Sequence, residues 1–202
     1  MYRYIKRFLD FVISLMAICG LSWLLIIISL IIKIEDGGNI LFKQKRIGLD
    51  KKEFYIYKFR TMKTTTPKDV PTHLLENPES YITAIGRFLR KSSLDELPQL
   101  FNILKGEMSL VGPRPALWNQ FDLIAERDKY GANNVVPGLT GWAQVNGRDE
   151  LPISVKSKYD GEYVNKMSFL FDVYILFRTV VSVFKADGVV EGRNEGNTDG
   201  EK

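Results

Sequence analysis

Between Phe11 and Ile32 the chain runs for twenty-two residues without a charged side chain, interrupted only by Ser14, Gly20, Ser22 and Ser29. At about 1.5 Å of rise per residue, a helix of that length extends roughly 33 Å, comparable to the hydrocarbon thickness of a bilayer. The run is longer than the apolar region of a secretory leader and is not closed by a small-x-small cleavage site. A membrane segment is therefore favoured over a soluble core helix or a cleavable leader. Its flanks restrict the topology further. Arg3, Lys6 and Arg7 precede it, and Lys33, Lys43, Lys45, Arg46, Lys51 and Lys52 follow it. Such cations favour the cytoplasmic side, so a one-pass anchor would strand one flank outside, whereas a re-entrant helical hairpin keeps both together. Gly20 and Ser22 lie at the midpoint, where a helix weakens or bends and a hydroxyl satisfies a freed carbonyl. Asp10, near membrane depth, requires a partner, and Lys6 and Arg7 are the nearest cations.

Composition excludes several kinds of chemistry. Of the 202 residues 45% are apolar, enough for a folded core, and the formal net charge is +4. The excess is local: residues 1–60 carry 11 Lys/Arg against 5 Asp/Glu, and the remainder carry 17 against 19. A single cysteine forms no intramolecular disulfide, and with His73 as the only histidine there is no four-ligand zinc site. A Ser/His/Asp or Cys/His relay is equally disfavoured, because His73 sits in a polar stretch between Pro71 and Pro78. The remaining candidates are carboxylates, cations and a hard metal ion.

After a turn at Gly37-Gly38-Asn39, residues 40–42 read as a short strand, and Phe54 to Arg60 read as a second. Alternation places Lys58 and Arg60 on one face, either as a phosphate-binding pair or as an ordinary solvated edge. From Tyr81 the spacing of Ile82, Ile85, Phe88 and Leu89 predicts a basic amphipathic helix that also carries Arg87, Arg90 and Lys91. Ser93 and Glu96 have capping-box spacing, which predicts a helix with Asp95 and Glu96 in its first turn and its end near Lys105-Gly106. The acidic pair reads equally as a helix cap or as two hard oxygen donors for Mg²⁺, one of them also a nucleophile toward phosphorus. Gly112-Pro113-Arg114-Pro115 offers close backbone approach and a planar guanidinium suited to a diphosphate. Pro137 to Arg148 contains three glycines, Trp142, two amides and Arg148, and reads either as a nucleotide-binding loop or as two turns flanking a strand. Trp118, Phe121 and Ile124 form an apolar helix face, for an interface or for the core.

Taken together, Ser93-Leu94-Asp95-Glu96-Leu97-Pro98-Gln99, residues 106–115 and residues 137–148 resemble the motifs of the bacterial sugar transferase family, the monotopic phosphoglycosyl transferases. The resemblance runs from Arg3 to about Lys185, and the chain length resembles the family's minimal catalytic core. It implies transfer of a sugar 1-phosphate from a UDP-sugar to undecaprenyl or another polyprenyl phosphate, with release of UMP, as the first step of glycoconjugate assembly. Similarity to the smaller members points to an N-acetylated amino sugar. By the same resemblance Asp95 is the nucleophile and Glu96 its partner, both serving as ligands of Mg²⁺, with Mn²⁺ the other candidate. Lys58, Arg60, Arg90, Arg114 and Arg148 correspond to substrate-binding cations. The family's re-entrant helix commonly breaks at Ser-Pro; here Ser22 precedes Trp23, so the strongest helix breaker is missing.

The expected fold is thus α+β: a re-entrant membrane hairpin and basic flank over 1–36, and a mostly helical catalytic domain with a small β element and interfacial amphipathic helices over 37–185. A flexible tail is expected over 186–202. The expected location is the bacterial cytoplasmic membrane with catalysis on its cytoplasmic face, and the expected partners are membrane lipid and the two substrates, without nucleic acid. The competing reading is a non-catalytic, membrane-anchored module for anionic lipid or nucleotide.

Overall fold

The computed structural model describes residues 2–66, 78–147 and 151–185. Arg148, the polar stretch around His73 and the expected tail lie outside these residues. The apolar run is divided between α1 (Tyr2–Gly20) and α2 (Ser22–Asp36), which meet at Leu21 with a bend of 62°. No proline is needed for this break: Ser22 Oγ donates to the Cys19 carbonyl at 2.9 Å, the local satisfaction that a helix interruption requires. Among the described residues no single helix is long and apolar enough to cross a membrane, but α1 and α2 together meet that requirement.

The burial pattern of α1 inverts that of a soluble amphipathic helix. Its buried residues are Lys6, Asp10 and Ser14, spaced four apart, while Tyr4, Ile5, Phe8, Phe11 and Met16 are exposed. Lys6 Nζ contacts Asp172 Oδ2 at 2.6 Å. Asp10 accepts hydrogen bonds from Ser109 Oγ and the Leu110 amide and has Lys6 as an i,i+4 neighbour at 4.0 Å. Arg7 donates to the Ile103 and Leu104 carbonyls, satisfying two of the acceptors that a helix C-terminus leaves open. A polar stripe therefore fastens α1 to the rest of the protein and leaves the apolar side outward.

Strands β1 (Leu41–Ile47) and β2 (Glu53–Phe59) form an antiparallel hairpin in which Phe42 lies opposite Lys58. The second strand is met to within one residue at each end, whereas the first, expected over 40–42, continues to Ile47 because each of its residues finds a partner on β2. Helix α3 (Ala84–Ser92) starts with Thr83 Oγ1 accepting from the Gly86 amide, and packs closely on the chain leaving β2. At Gly86 any side chain is excluded, since a Cβ would lie 2.1 Å from the Thr61 carbonyl oxygen. The predicted capping box does not form. Ser93 is instead the left-handed end of α3 (φ 57°), its side chain caps nothing, and Leu94–Glu96 is a single 3-10 turn. Pro98, which has no amide hydrogen, precedes α4 (Gln99–Lys105), so the regular helix begins after the acidic pair and ends at Gly106 as expected.

Strands β3 (Ser109–Val111) and β4 (Gly138–Thr140) make a second, parallel pair, so the strands of the described residues form two small sheets. Here a Cβ on Gly138 would meet the Gly112 amide at 2.1 Å, which brings the Gly-Pro-Arg-Pro loop and the second glycine-rich motif into direct backbone contact. Helices α5 (Phe121–Asp128), α6 (Trp142–Val145), α7 (Ile153–Lys166) and α8 (Phe169–Lys185) complete the fold. Arg127 and Asp160 join α5 to α7 in a buried pair at 2.6 Å. Three core clusters form around Ile56 and Ile103, around Phe59 and Leu89, and around Val111, Tyr163 and Ile175. The first two include Ala17 and Ile18 of α1 and Ile28 and Ile32 of α2, so the inner faces of the bent pair are part of the core. The face of α8 bearing Phe169, Leu170, Val173, Phe177 and Val180 is exposed, as are Trp118 and Phe121.

Candidate active site

The turn that replaces the predicted helix start determines where the acidic pair points. A serine in the left-handed region costs on the order of 1 kcal/mol relative to ordinary backbone, and here it redirects the chain from α3 toward β2. Asp95 is buried and Glu96 is partly buried. From β2, Lys58 Nζ reaches Glu96 Oε1 at 2.6 Å and Asp95 Oδ2 at 3.8 Å. From the Gly-Pro-Arg-Pro loop, Arg114 Nη2 reaches Glu96 Oε1 at 3.3 Å. Elements distant in sequence thus bring Lys58, Asp95, Glu96 and Arg114 into one cluster.

The two carboxylates have different environments. Burial tends to raise the Glu96 pKa, but the Arg114 and Lys58 charges and their hydrogen bonds more than offset this and hold the carboxyl at about 2. The associated stabilisation is fully present above the ordinary Glu value of 4.5 and is lost as pH falls toward 2. For Asp95 burial wins: together with the neighbouring Glu96 charge it lifts the carboxyl above the usual aspartate range, against the opposing pull of Lys58, Arg90 and Arg114. Among the described residues no hydrogen bond to the Asp95 carboxylate is formed, and Lys58 pairs with its Oδ2 at the longer distance of 3.8 Å.

Arg90 lies within electrostatic range of Asp95, with Nε held by Thr61 Oγ1 at 2.9 Å. Arg60 takes a different direction from Lys58. Strand alternation stops at Phe59, and the Arg60 guanidinium turns to the Gly37 carbonyl and to Asp36 Oδ2 at 3.5 Å, where it holds the exit of α2. Arg148 lies outside the described residues. Two contributors escaped the sequence reading: Thr61, which aims Arg90, and the left-handed backbone of Ser93. The capping-box pattern itself obscured the second, because Ser-x-x-Glu spacing suits either a helix start or this turn.

Among the described residues no group of three or more His, Cys, Asp and Glu side chains is placed to hold a metal alone. The donor set nevertheless fits Mg²⁺ in its usual substrate-assisted mode, in which one or two carboxylates bind the ion and substrate phosphates complete the shell. Among the described residues Asp95 is held only by the long ion pair of its Oδ2 with Lys58, and Glu96 presents Oε2 while Oε1 serves the two cations.

Comparison with known proteins gives this cluster its context. Residues 1–186 match the family model for bacterial sugar transferases. The chain is 40% identical over 185 residues to the uncharacterized sugar transferase EpsL of Bacillus subtilis, covering 92% of this chain and 90% of that protein. It is 35% identical over 197 residues to the exopolysaccharide production protein ExoY of Sinorhizobium fredii, covering 91% and 87% of the two. The UDP-glucose:undecaprenyl-phosphate glucose-1-phosphate transferase of Escherichia coli is 37% identical over 195 residues, which is 90% of this chain but 40% of that larger protein. With both the motifs and nearly the whole length matched, the chain belongs to the bacterial sugar transferase family.

Proposed function

We propose that the chain transfers a sugar 1-phosphate from a UDP-sugar to a polyprenyl phosphate by way of an aspartyl-phosphosugar intermediate. The observation that carries this reading is the unequal acidic pair: Glu96 is committed to Lys58 and Arg114, whereas the Asp95 carboxylate beside it accepts no hydrogen bond among the described residues. An Asp95 oxygen attacks the phosphorus that bears the sugar, and the bond from that phosphorus to the UMP oxygen breaks. UMP leaves with the electron pair. A phosphate oxygen of the lipid then attacks the same phosphorus and displaces Asp95, giving polyprenyl diphosphate-sugar and regenerating the carboxylate. Lys58, Arg90 and Arg114 neutralise and orient the diphosphate, which is most of what phosphoryl transfer requires of a protein. Asp95 and Glu96 would hold Mg²⁺, whose charge assists departure of the leaving phosphate. Relatives named for undecaprenyl-phosphate transfer of glucose, galactose and N-acetylgalactosamine phosphates support the reaction class; for the donor we favour an N-acetylated amino sugar.

For the bent pair we propose a re-entrant hairpin in the cytoplasmic membrane, with residues 37–185 as the catalytic domain on the cytoplasmic face. Both feet of the hairpin are fastened to the same body. Lys6 and Tyr2 bind Asp172 at one end. At the other, Glu35 accepts from the Ala84 and Ile85 amides and Asp36 from the Thr64 amide. A straight crossing would pull these feet to opposite sides of the bilayer.

Incubation with a UDP-sugar panel labelled in the sugar is expected to release UMP and move label into the lipid phase in a Mg²⁺-dependent manner. Binding of nucleotide without UMP release, across the panel, would favour the non-catalytic module. The electrostatics give a sharper test. Lys58→Met removes the strongest cationic influence on Asp95, raises that carboxyl further, and is expected to move the acid limb of UMP release to higher pH. An acid limb unchanged in position would separate Lys58 from the nucleophile.

A further inference from the structure

Two buried hydroxyls are aimed at one backbone carbonyl at the end of β3. Tyr163 Oη of α7 lies 3.1 Å from the Val111 oxygen, and Ser109 Oγ lies 3.0 Å from it. Each hydroxyl is also shared with a carboxylate that leads back to α1. Tyr163 Oη is 2.9 Å from Asp172 Oδ1, while Asp172 Oδ2 accepts from Tyr2 and Lys6. Ser109 Oγ is 2.7 Å from Asp10 Oδ2, and Asp10 Oδ1 accepts from the Leu110 amide at 3.1 Å. A hydroxyl has one hydrogen to give, so each proton lies between its carboxylate and Val111. All three residues of β3 are thereby held by side chains that belong to α1 or are tied to it. A pair of three-residue strands has few ladder bonds of its own, and these contacts supplement them.

The chain between that carbonyl and the acidic pair has little slack. The Gly112 amide donates to the Thr140 carbonyl at 2.8 Å, and the Pro113 carbonyl accepts from the Gly138 amide at 2.9 Å. A Cβ on Gly112 would lie 2.6 Å from the Val136 carbonyl oxygen, and the ring of Pro113 fixes its own φ. Arg114 follows directly and reaches Glu96 Oε1 with Nη2 at 3.3 Å. A shift at Val111 is therefore passed on to the Arg114 guanidinium. At a site that works by placing charge around a phosphoryl group, misplacement by roughly 1 Å costs on the order of 10²-fold in rate.

We infer that Tyr163, with Ser109 as the second donor, is a positioning residue: its hydroxyl holds the Val111 carbonyl and so sets where Arg114 meets the diphosphate of the donor. The inference rests on the proposed transferase reaction for the role of Arg114. Tyr163→Phe deletes the hydroxyl and keeps the ring, which packs with Val111 and Ile175 and stacks on Phe171 at 6.1 Å between centroids. With the most active donor of the UDP-sugar panel, this variant of the full chain in detergent is expected to lower kcat/KM for UMP release about tenfold. In an Arg114→Met background the same change should cost less than about twofold. In an Arg90→Met background, where the lost cation is one aimed from α3 by Thr61, it should cost the full factor. An equal cost in all three backgrounds, the pattern that simple loss of folded protein gives, would overturn the inference, as would no cost in the wild-type background. If Tyr163→Phe does not fold, Ser109→Ala removes the other hydroxyl from the same carbonyl and is judged by the same cycle. A measurement without substrate accompanies the kinetics. The side-chain Nε–Hε NMR signal of Arg114, assigned by its absence from Arg114→Met, is expected to lose order in Tyr163→Phe, and unchanged order would also overturn the inference. If the wild-type chain releases no UMP while this signal responds to Tyr163→Phe, the transferase reading falls and the link from Tyr163 to Arg114 stands.

Discussion

Asp95→Asn is expected to lower sugar-phosphate transfer by on the order of 10⁴-fold or more, the scale seen when a covalent nucleophile is removed. The change is isosteric and costs the cluster little, because the Asp95 carboxylate accepts no hydrogen bond among the described residues and its nearest cation, Lys58, is at 3.8 Å. Membrane association and thermal midpoint should therefore stay close to wild type. Two readouts locate the defect. UMP release should fall with the donor alone, before any lipid is added. Intact-mass analysis of wild-type chain given donor without acceptor should show a phosphosugar adduct on Asp95 that is absent from the variant. Substantial turnover by Asp95→Asn, or an adduct elsewhere, would reassign the nucleophile. Glu96→Gln should behave differently, since it releases Lys58 and Arg114 from their shared acceptor and disturbs the cations as well as the dyad.

The largest stability effect is expected at Asp172. Its Oδ2 accepts from Lys6 and from Tyr2, each at 2.6 Å, and its Oδ1 accepts from Tyr163 at 2.9 Å. Removing one partner of a buried ion pair leaves the other uncompensated, typically at a cost of 3–5 kcal/mol. Asp172→Ala should thus lower the thermal midpoint in detergent by on the order of 10 °C. The double variant Lys6→Met/Asp172→Leu should recover most of that loss, because replacing both ions with apolar groups removes the stranded charge. A single-variant shift below about 2 °C would mean that this contact does not hold α1 in place.

Much of the fold was legible in local pattern. Apolar run length located the bent pair, aromatic and β-branched alternation located β2, and three-four spacing located α3. The features missed depend on contacts between distant positions. Lys6, Asp10 and Ser14 lie on one stripe at four-residue spacing, but its burial is decided by Asp172, Ser109 and Leu110, far along the chain. Ser14, which reads as an interruption of an apolar helix, is completely buried. At the site, residue types pointed to phosphate chemistry without histidine, yet the division of labour between Asp95 and Glu96 emerges only when Lys58 and Arg114 arrive from other elements. Arg60 illustrates the reverse: side-chain alternation holds only while a strand continues, and the strand ends one residue before it.

The fastening of both hairpin feet has a geometric corollary. On the proposed topology the vertical offset of Asp95 from the acyl region is a fixed gauge, set by the Lys6–Asp172 tie and by the grip of Glu35 and Asp36 on α3 and Thr64. The lipid phosphate must come up to that height, since the carboxylate is not free to descend. Turnover should then be more sensitive to how tightly interfacial headgroups are packed than to the thickness of the leaflet beneath them.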